Sequence, residues 1–246
     1  MKKLIVANFK MNTTVKEFSY YLDKFLPLVK QSKNSIVLCV PYTHLMMAEQ
    51  KLVSTQIKFG AQNLSTGDNG ALTGEISNIM IKDLGASYVI VGHSGRRQLF
   101  KETDEQINKK IIKALAVNLK AIVCIGETKT EKNANKTSEV IKKQLEIALG
   151  GLYENELENI IIAYEPVWAI GSGKVPQAKE IEQIVKDIRH FVLENFSKEA
   201  SEKITVLYGG SVNDANCQNF LKINGIDGLL VGGACLDVNK FAKIVV

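Results

Sequence analysis

Histidine, tryptophan, proline and cysteine are scarce in this chain of 246 residues, which holds three, one, four and four of them. So little proline, beside 46% hydrophobic and 23% charged residues, excludes a disordered or collagen-like chain and fits one ordered globular protein. The four cysteines (Cys39, Cys124, Cys217 and Cys235) show neither CxxC nor metal-ligand spacing. They predict reduced thiols in a cytoplasmic protein and no metal centre. No apolar run reaches the length of a membrane span. The opening "MKKLIVANFKMN" starts like a secretion signal, but its apolar run stops at Asn8 and Lys10. An excess of one charge is missing too: 31 basic against 26 acidic residues leave a formal +5, scattered along the chain. Nucleic-acid surfaces need basic clusters with interleaved aromatics, so neither a nucleic acid nor a membrane is expected as a partner. The mild positive balance suits an anionic small molecule.

What the chain does have is a regular alternation. Short runs rich in Val and Ile recur as strand candidates at 4–8, 35–40, 57–63, 88–93, 121–127, 160–165, 205–210 and 228–233. Longer amphipathic stretches rich in Lys and Glu follow them, such as "TDEQINKKIIKALAVN" from Thr103 and "AKEIEQIVKDIRHFVLENF" from Ala178. One unit takes about 32 residues, the length of a βα repeat with its loops. Strands that are apolar throughout are buried on both faces, as in a parallel sheet covered by helices. Right-handed crossovers leave a closed barrel or an open doubly wound sheet. Eight even units in so short a chain favour an α/β fold of the closed parallel (β/α)8 type, and no GxGxxG follows the first strand as a dinucleotide-binding sheet would require. No linker or composition shift divides the chain, so residues 1–246 read as a single domain.

In such a barrel the chemistry gathers on the loops at the C-terminal strand ends. The first run ends in Asn8 and, two residues on, Lys10; on a continuing pleat both would face the barrel mouth. His93 ends the fourth run, whereas His44 and His190 read as ordinary structural histidines. Glu165 ends the sixth run ahead of Pro166, where partial desolvation would raise a carboxylate pKa and make it a base usable near neutrality. The following "PVWAIGSGKVP" has proline at each end and two glycines, a composition suited to a lid that moves as one piece. The last two runs end in glycine pairs, Gly209–Gly210 before Ser211 and Gly232–Gly233. Glycine lets backbone N–H groups approach a phosphate closely, and barrels of this kind build phosphate sites after strands seven and eight. Two tempting motifs fail: "GSGKV" lacks the spacing of a Walker loop, and "GHSG" has Arg96 where a nucleophile elbow needs glycine.

Taken in order, "ANFKMN", "GAQN", "GEIS", "VGHS.RR", "CIGE", "AYEPVWAIGSGK", "YGGSV" and "DGLLVGG" resemble the triosephosphate isomerase family over nearly the whole chain. The resemblance implies a TIM barrel that interconverts dihydroxyacetone phosphate and glyceraldehyde 3-phosphate in glycolysis and gluconeogenesis, without cofactor or metal. Glu165 matches the family's base, His93 its neutral electrophile, and Lys10 the cation that offsets substrate charge, with Asn8 alongside. Gly171, Ser211, Gly232 and Gly233 match its phosphate-holding positions, and Cys124 a cysteine behind the base. The glycine-rich stretch "LSTGDNGALTGEIS" resembles the arm that the family inserts beside a partner's site, implying a homodimer with Thr73 reaching across. One position departs: the family reads "HSERR" where this chain has "HSGRR", so Gly95 replaces a glutamate of the active-site network. Reduced turnover is the expected result. Two rival readings are another phosphate-binding barrel enzyme, such as an aldolase or epimerase, and a barrel that binds phosphate ligands without catalysis.

Overall fold

Alternate residues of each apolar run face two different cores. In β1 (Leu4–Asn8), Val6 joins Val37, Ile90, Ile122, Ile161, Leu207 and Leu230 in one buried cluster. Its neighbours Ile5 and Ala7 belong to a second, larger cluster shared with the helices. The structure, a computed structural model, describes residues 2–246. The other strands are β2 (Ser35–Val40), β3 (Lys58–Ala61), β4 (Tyr88–Val91), β5 (Lys120–Ile125), β6 (Ile160–Tyr164), β7 (Thr205–Tyr208) and β8 (Gly228–Val231). All pair in parallel in chain order, and β8 pairs back onto β1 with Leu229 opposite Ile5, closing the barrel. A closed parallel barrel inside a ring of helices needs both faces of each strand apolar, which is why the runs are continuous rather than alternating.

The helices form where the periodicity places them. Ala178–Asn195 buries Ile181, Ile184, Val185, Ile188, Phe191 and Val192, a stripe at helical spacing, against the outside of the barrel. Truncating one of these to alanine costs about 2–5 kcal/mol. Asp104–Ala116 begins at a capping box in which Thr103 and Gln106 exchange side-chain and backbone bonds, satisfying two N–H groups that the first turn leaves open. The chain ends in the helix Val238–Val245, whose Phe241 ring stacks on Phe25 at 5.2 Å and so ties the last turn to the first long helix. No helix among the described residues is long and apolar enough to cross a membrane.

Six strands stop one or two residues before their apolar runs do, and this positions the site. The fourth run extends to His93, but β4 ends at Val91 because Gly92 takes φ 71°, a left-handed turn that takes the chain out of the sheet. β6 likewise ends at Tyr164, one residue before Glu165. His93 and Glu165 are therefore the first side chains of the loops, carried on rigid strand ends.

Candidate active site

At the end of β1, Asn8 Oδ1 accepts the N–H of Lys10 at 3.1 Å, and Lys10 adopts φ 54°. The pleat expected to align these two side chains has already ended. A local turn does the work instead, at the strain of a non-glycine residue in the left-handed region. The turn hangs the lysine over the end of β8, where a Cβ added to Gly232 would lie 3.5 Å from the Lys10 ammonium. Phe9, between them, is fully buried edge-on to Phe18 and Tyr21, so the turn rests on an aromatic base.

His93 caps the short helix Ser94–Leu99. Its Nδ1 accepts the N–H of Gly95 at 3.0 Å, so the proton of the neutral ring sits on Nε2. That Nε2 points at Glu165 Oε1, 3.3 Å away. The other carboxylate oxygen, Oε2, accepts the N–H of Ser94 at 3.0 Å, and Glu165 is only 2% exposed. A buried carboxylate beside an imidazole N–H is a proton acceptor next to a proton donor. Behind it lies the Cys124 thiol, which burial first and the nearby Glu165 charge second hold well above its ordinary pKa. That thiol stays protonated and takes no part as a nucleophile.

The segment after Glu165 makes a single turn at Val167–Ala169 and then passes through Gly171 and Gly173 at φ 68° and 72°, conformations that glycine adopts at little cost. Ser211, after β7, donates to the Ala169 carbonyl at 2.6 Å, tying this segment to the neighbouring loop. Ser172 braces it from within, its hydroxyl donating to Ala169 O at 3.0 Å. Sequence reasoning missed the anchor at the other side. Glu127 is fully buried and accepts bonds from Trp168 Nε1 at 2.7 Å and from the Tyr164 hydroxyl at 3.1 Å. Burial pushes its pKa up, and the Trp168 bond opposes that shift. The signal was present: Glu127 ends the run "AIVCIGE" just as Glu165 ends "IIIAYE".

The glycine pairs have separate reasons. A Cβ on Gly209 would stand 3.0 Å from Glu165 Cγ, and one on Gly210 would strike the Tyr208 hydroxyl at 2.2 Å, so this pair makes room for neighbours. Nothing lies within 4 Å of a Cβ on Gly233, which faces open space. Asn8, Lys10, His93, Glu165, Gly171, Ser211, Gly232 and Gly233 all line one cavity of about 500 Å³ at the C-terminal mouth of the barrel. Lys240 adds a second cation to its wall, which sequence reasoning also missed because it lies in a helix rather than at a strand end. The other two histidines are elsewhere: His190 is exposed on a helix beside Glu194, and His44 is buried outside this cavity.

Comparison with known proteins gives the family. The family model described as triosephosphate isomerase matches residues 3–246. The chain is 44% identical to the triosephosphate isomerase of Alkaliphilus oremlandii (strain OhILAs) and 46% identical to that of Dictyoglomus turgidum (strain DSM 6724 / Z-1310). It is 42% identical to the one from Caldanaerobacter subterraneus subsp. tengcongensis. Each match spans 99% of this chain and 98% of the relative.

Proposed function

The chain belongs to the triosephosphate isomerase family and is an isomerase, and we propose on that premise how its barrel mouth carries out the reaction. The ionised Glu165 carboxylate takes the proton from the carbon beside the carbonyl of dihydroxyacetone phosphate. His93 Nε2–H polarises the carbonyl and gives its proton to that oxygen of the developing enediolate, then takes back the proton of the other hydroxyl as Glu165 returns its own to the former carbonyl carbon, giving glyceraldehyde 3-phosphate. This pairing of a carboxylate base with a neutral imidazole is itself the standard illustration of such chemistry. The observation that carries the reading is the 3.3 Å approach of Glu165 to His93 inside a cavity walled by Lys10.

The phosphate needs donors and cations. Gly171, Ser211, Gly232 and Gly233 line the same cavity and would hold it through N–H and hydroxyl groups, with the Lys10 ammonium offsetting the negative charge. An enediolate phosphate expels its phosphate readily in water, so the segment 166–176 serves as a lid that excludes solvent.

Gly95 sits beside this machinery and contributes only its backbone. Among the described residues, no carboxylate lies within ion-pair distance of Lys10. We read the missing side chain as a loss of placement rather than of chemistry, so the enzyme turns over at a reduced rate.

The active form is a homodimer. Met11, Leu72, Leu99 and Phe100 are exposed apolar side chains, and Met11 is 96% accessible. Three of them, Met11, Leu99 and Phe100, border an apolar cavity of about 480 Å³ that also reaches Lys10, His93 and Gly95. The buried Gln62 Oε1 beside it has no hydrogen-bond partner. A partner's arm carrying Thr73 fits there. Steady-state isomerisation of glyceraldehyde 3-phosphate, with sedimentation of the same sample, tests the reading: turnover by a dimer supports it, whereas a folded monomer or a protein that binds phosphate ligands without converting them overturns it.

A further inference from the structure

His44 plays no part in the chemistry above, yet it is the most deeply buried histidine of the molecule. It ends the single turn Tyr42–His44 after β2, is 2% exposed, and its ring lies 5.3 Å from that of Phe18. Nδ1 is 2.8 Å from the Thr43 hydroxyl and Nε2 is 3.1 Å from the Thr13 hydroxyl. The Thr13 hydroxyl donates its one proton to the Asn12 carbonyl at 2.6 Å, so towards His44 it can only accept. The imidazole proton is therefore on Nε2, and Nδ1 accepts from Thr43. Burial also pushes the His44 pKa down, against a smaller upward effect of the Thr13 and Thr14 backbone.

The partner of that bond is under strain. Thr13 has φ 68°, and a β-branched residue in the left-handed region is strained and persists only where its surroundings hold it. Lys10, three residues earlier, is left-handed as well. Between them Asn12 Nδ2 donates to Phe9 O at 2.7 Å, and directly after them Thr14 caps the helix Val15–Val29 through a capping box with Glu17. The segment 9–14 thus joins a strand end to a helix start through two unfavourable backbone conformations, and the side chain it presents to the cavity is Lys10.

We infer that His44 is a positioning residue for Lys10: its Nε2–H holds Thr13 in the left-handed conformation, which sets the path of segment 9–14 and with it the place of the Lys10 ammonium. The inference rests on the reading that Lys10 faces the substrate.

Steady-state kinetics on glyceraldehyde 3-phosphate, with thermal melts of every variant, tests it. His44→Phe keeps a ring against Phe18 but loses the donor; kcat/KM falls roughly tenfold, chiefly through KM, while the melt stays cooperative. His44→Gln, which keeps an N–H able to reach Thr13, recovers most of that loss. In a Thr13→Gly background, where glycine needs no clamp, His44→Phe changes kcat/KM by less than about twofold relative to Thr13→Gly alone. Unchanged kinetics in a folded His44→Phe, or an equal loss in both backgrounds, overturns the inference and leaves a histidine that merely fills space. If His44→Phe does not fold, Thr13→Val carries the test, since it keeps the branched side chain and removes the acceptor: the same roughly tenfold fall supports the clamp, and none overturns it. Lys10→Met is measured alongside. Full activity there shows that the reading of Lys10 has failed and takes the inference with it; a loss there without one at His44 faults the inference alone.

Discussion

The Nε2 of His93 stands 3.3 Å from Glu165 Oε1, while Glu165 Oε2 takes the N–H of Ser94, the residue next to that histidine. One carboxylate thus binds two neighbouring groups of a single loop. Held this way it is desolvated and aimed at the imidazole, and a substrate entering the cavity must displace one of these contacts to reach it. Glu165→Gln keeps the shape, and its one amide oxygen can still accept one of the two N–H groups, but it cannot take a proton. Its kcat should fall by about 10³-fold or more with the melting temperature nearly unchanged. A variant within tenfold of the parent would remove Glu165 as the base.

Gly95 invites the opposite experiment. A Cβ added there would lie 3.2 Å from His93 Nδ1, close enough that the ring must give by a few tenths of an ångström and no more. Gly95→Glu is therefore expected to fold, and to raise kcat while leaving KM almost where it was, the pattern of an interaction made in the transition state. Equal rates for the two proteins would mean that the site does without that carboxylate.

Glu127 supplies a pH dependence. Burial raises its folded-state pKa above that of the unfolded chain, so the native state holds the proton more tightly. The associated stability is fully present below the unfolded-state value, about 4.3, and is lost as pH rises through the higher folded-state value. Glu127→Gln has no such loss. Melting temperatures at several pH values from 4 to 8 should show the variant gaining on the parent as pH rises; a difference that stays flat or shrinks would contradict the sign.

Glu102 holds together a buried charge network. Its Oε1 accepts from Arg96 Nε at 2.5 Å and from Lys110 Nζ, and Lys110 is only 5% exposed. Glu102→Ala leaves the lysine with Asn63 Oδ1 as its one hydrogen-bond acceptor. An uncompensated buried charge costs about 3–5 kcal/mol, which denaturant unfolding should read directly. Adding Lys110→Met should restore much of the loss, because it removes the stranded charge. Additive losses in the double variant would show that the network acts through shape instead.

Particular residues show where sequence reasoning reached and where it stopped. His93 and Glu165 were legible because each follows an apolar run, and in a parallel barrel those ends meet at one mouth. In the segment proposed as a lid, the sequence marked two glycines, and both adopt left-handed backbone. Lys10 was found for a reason that did not hold, since a turn and not a pleat aims it. Glu127 carried the same positional signal as Glu165 and was passed over because its partners, Tyr164 and Trp168, lie 37 and 41 residues along the chain.

The sequence by itself determined the eight βα units, the doubly buried strands and the residues at their ends, because periodicity, glycine and capping act within a few residues. Tertiary structure alone decided which of those ends touch: the closure of β8 on β1, the approach of Glu165 to His93, and the bond from His44 to a strained Thr13. Distances across a closed sheet depend on the packing of every strand between, and no local pattern encodes them.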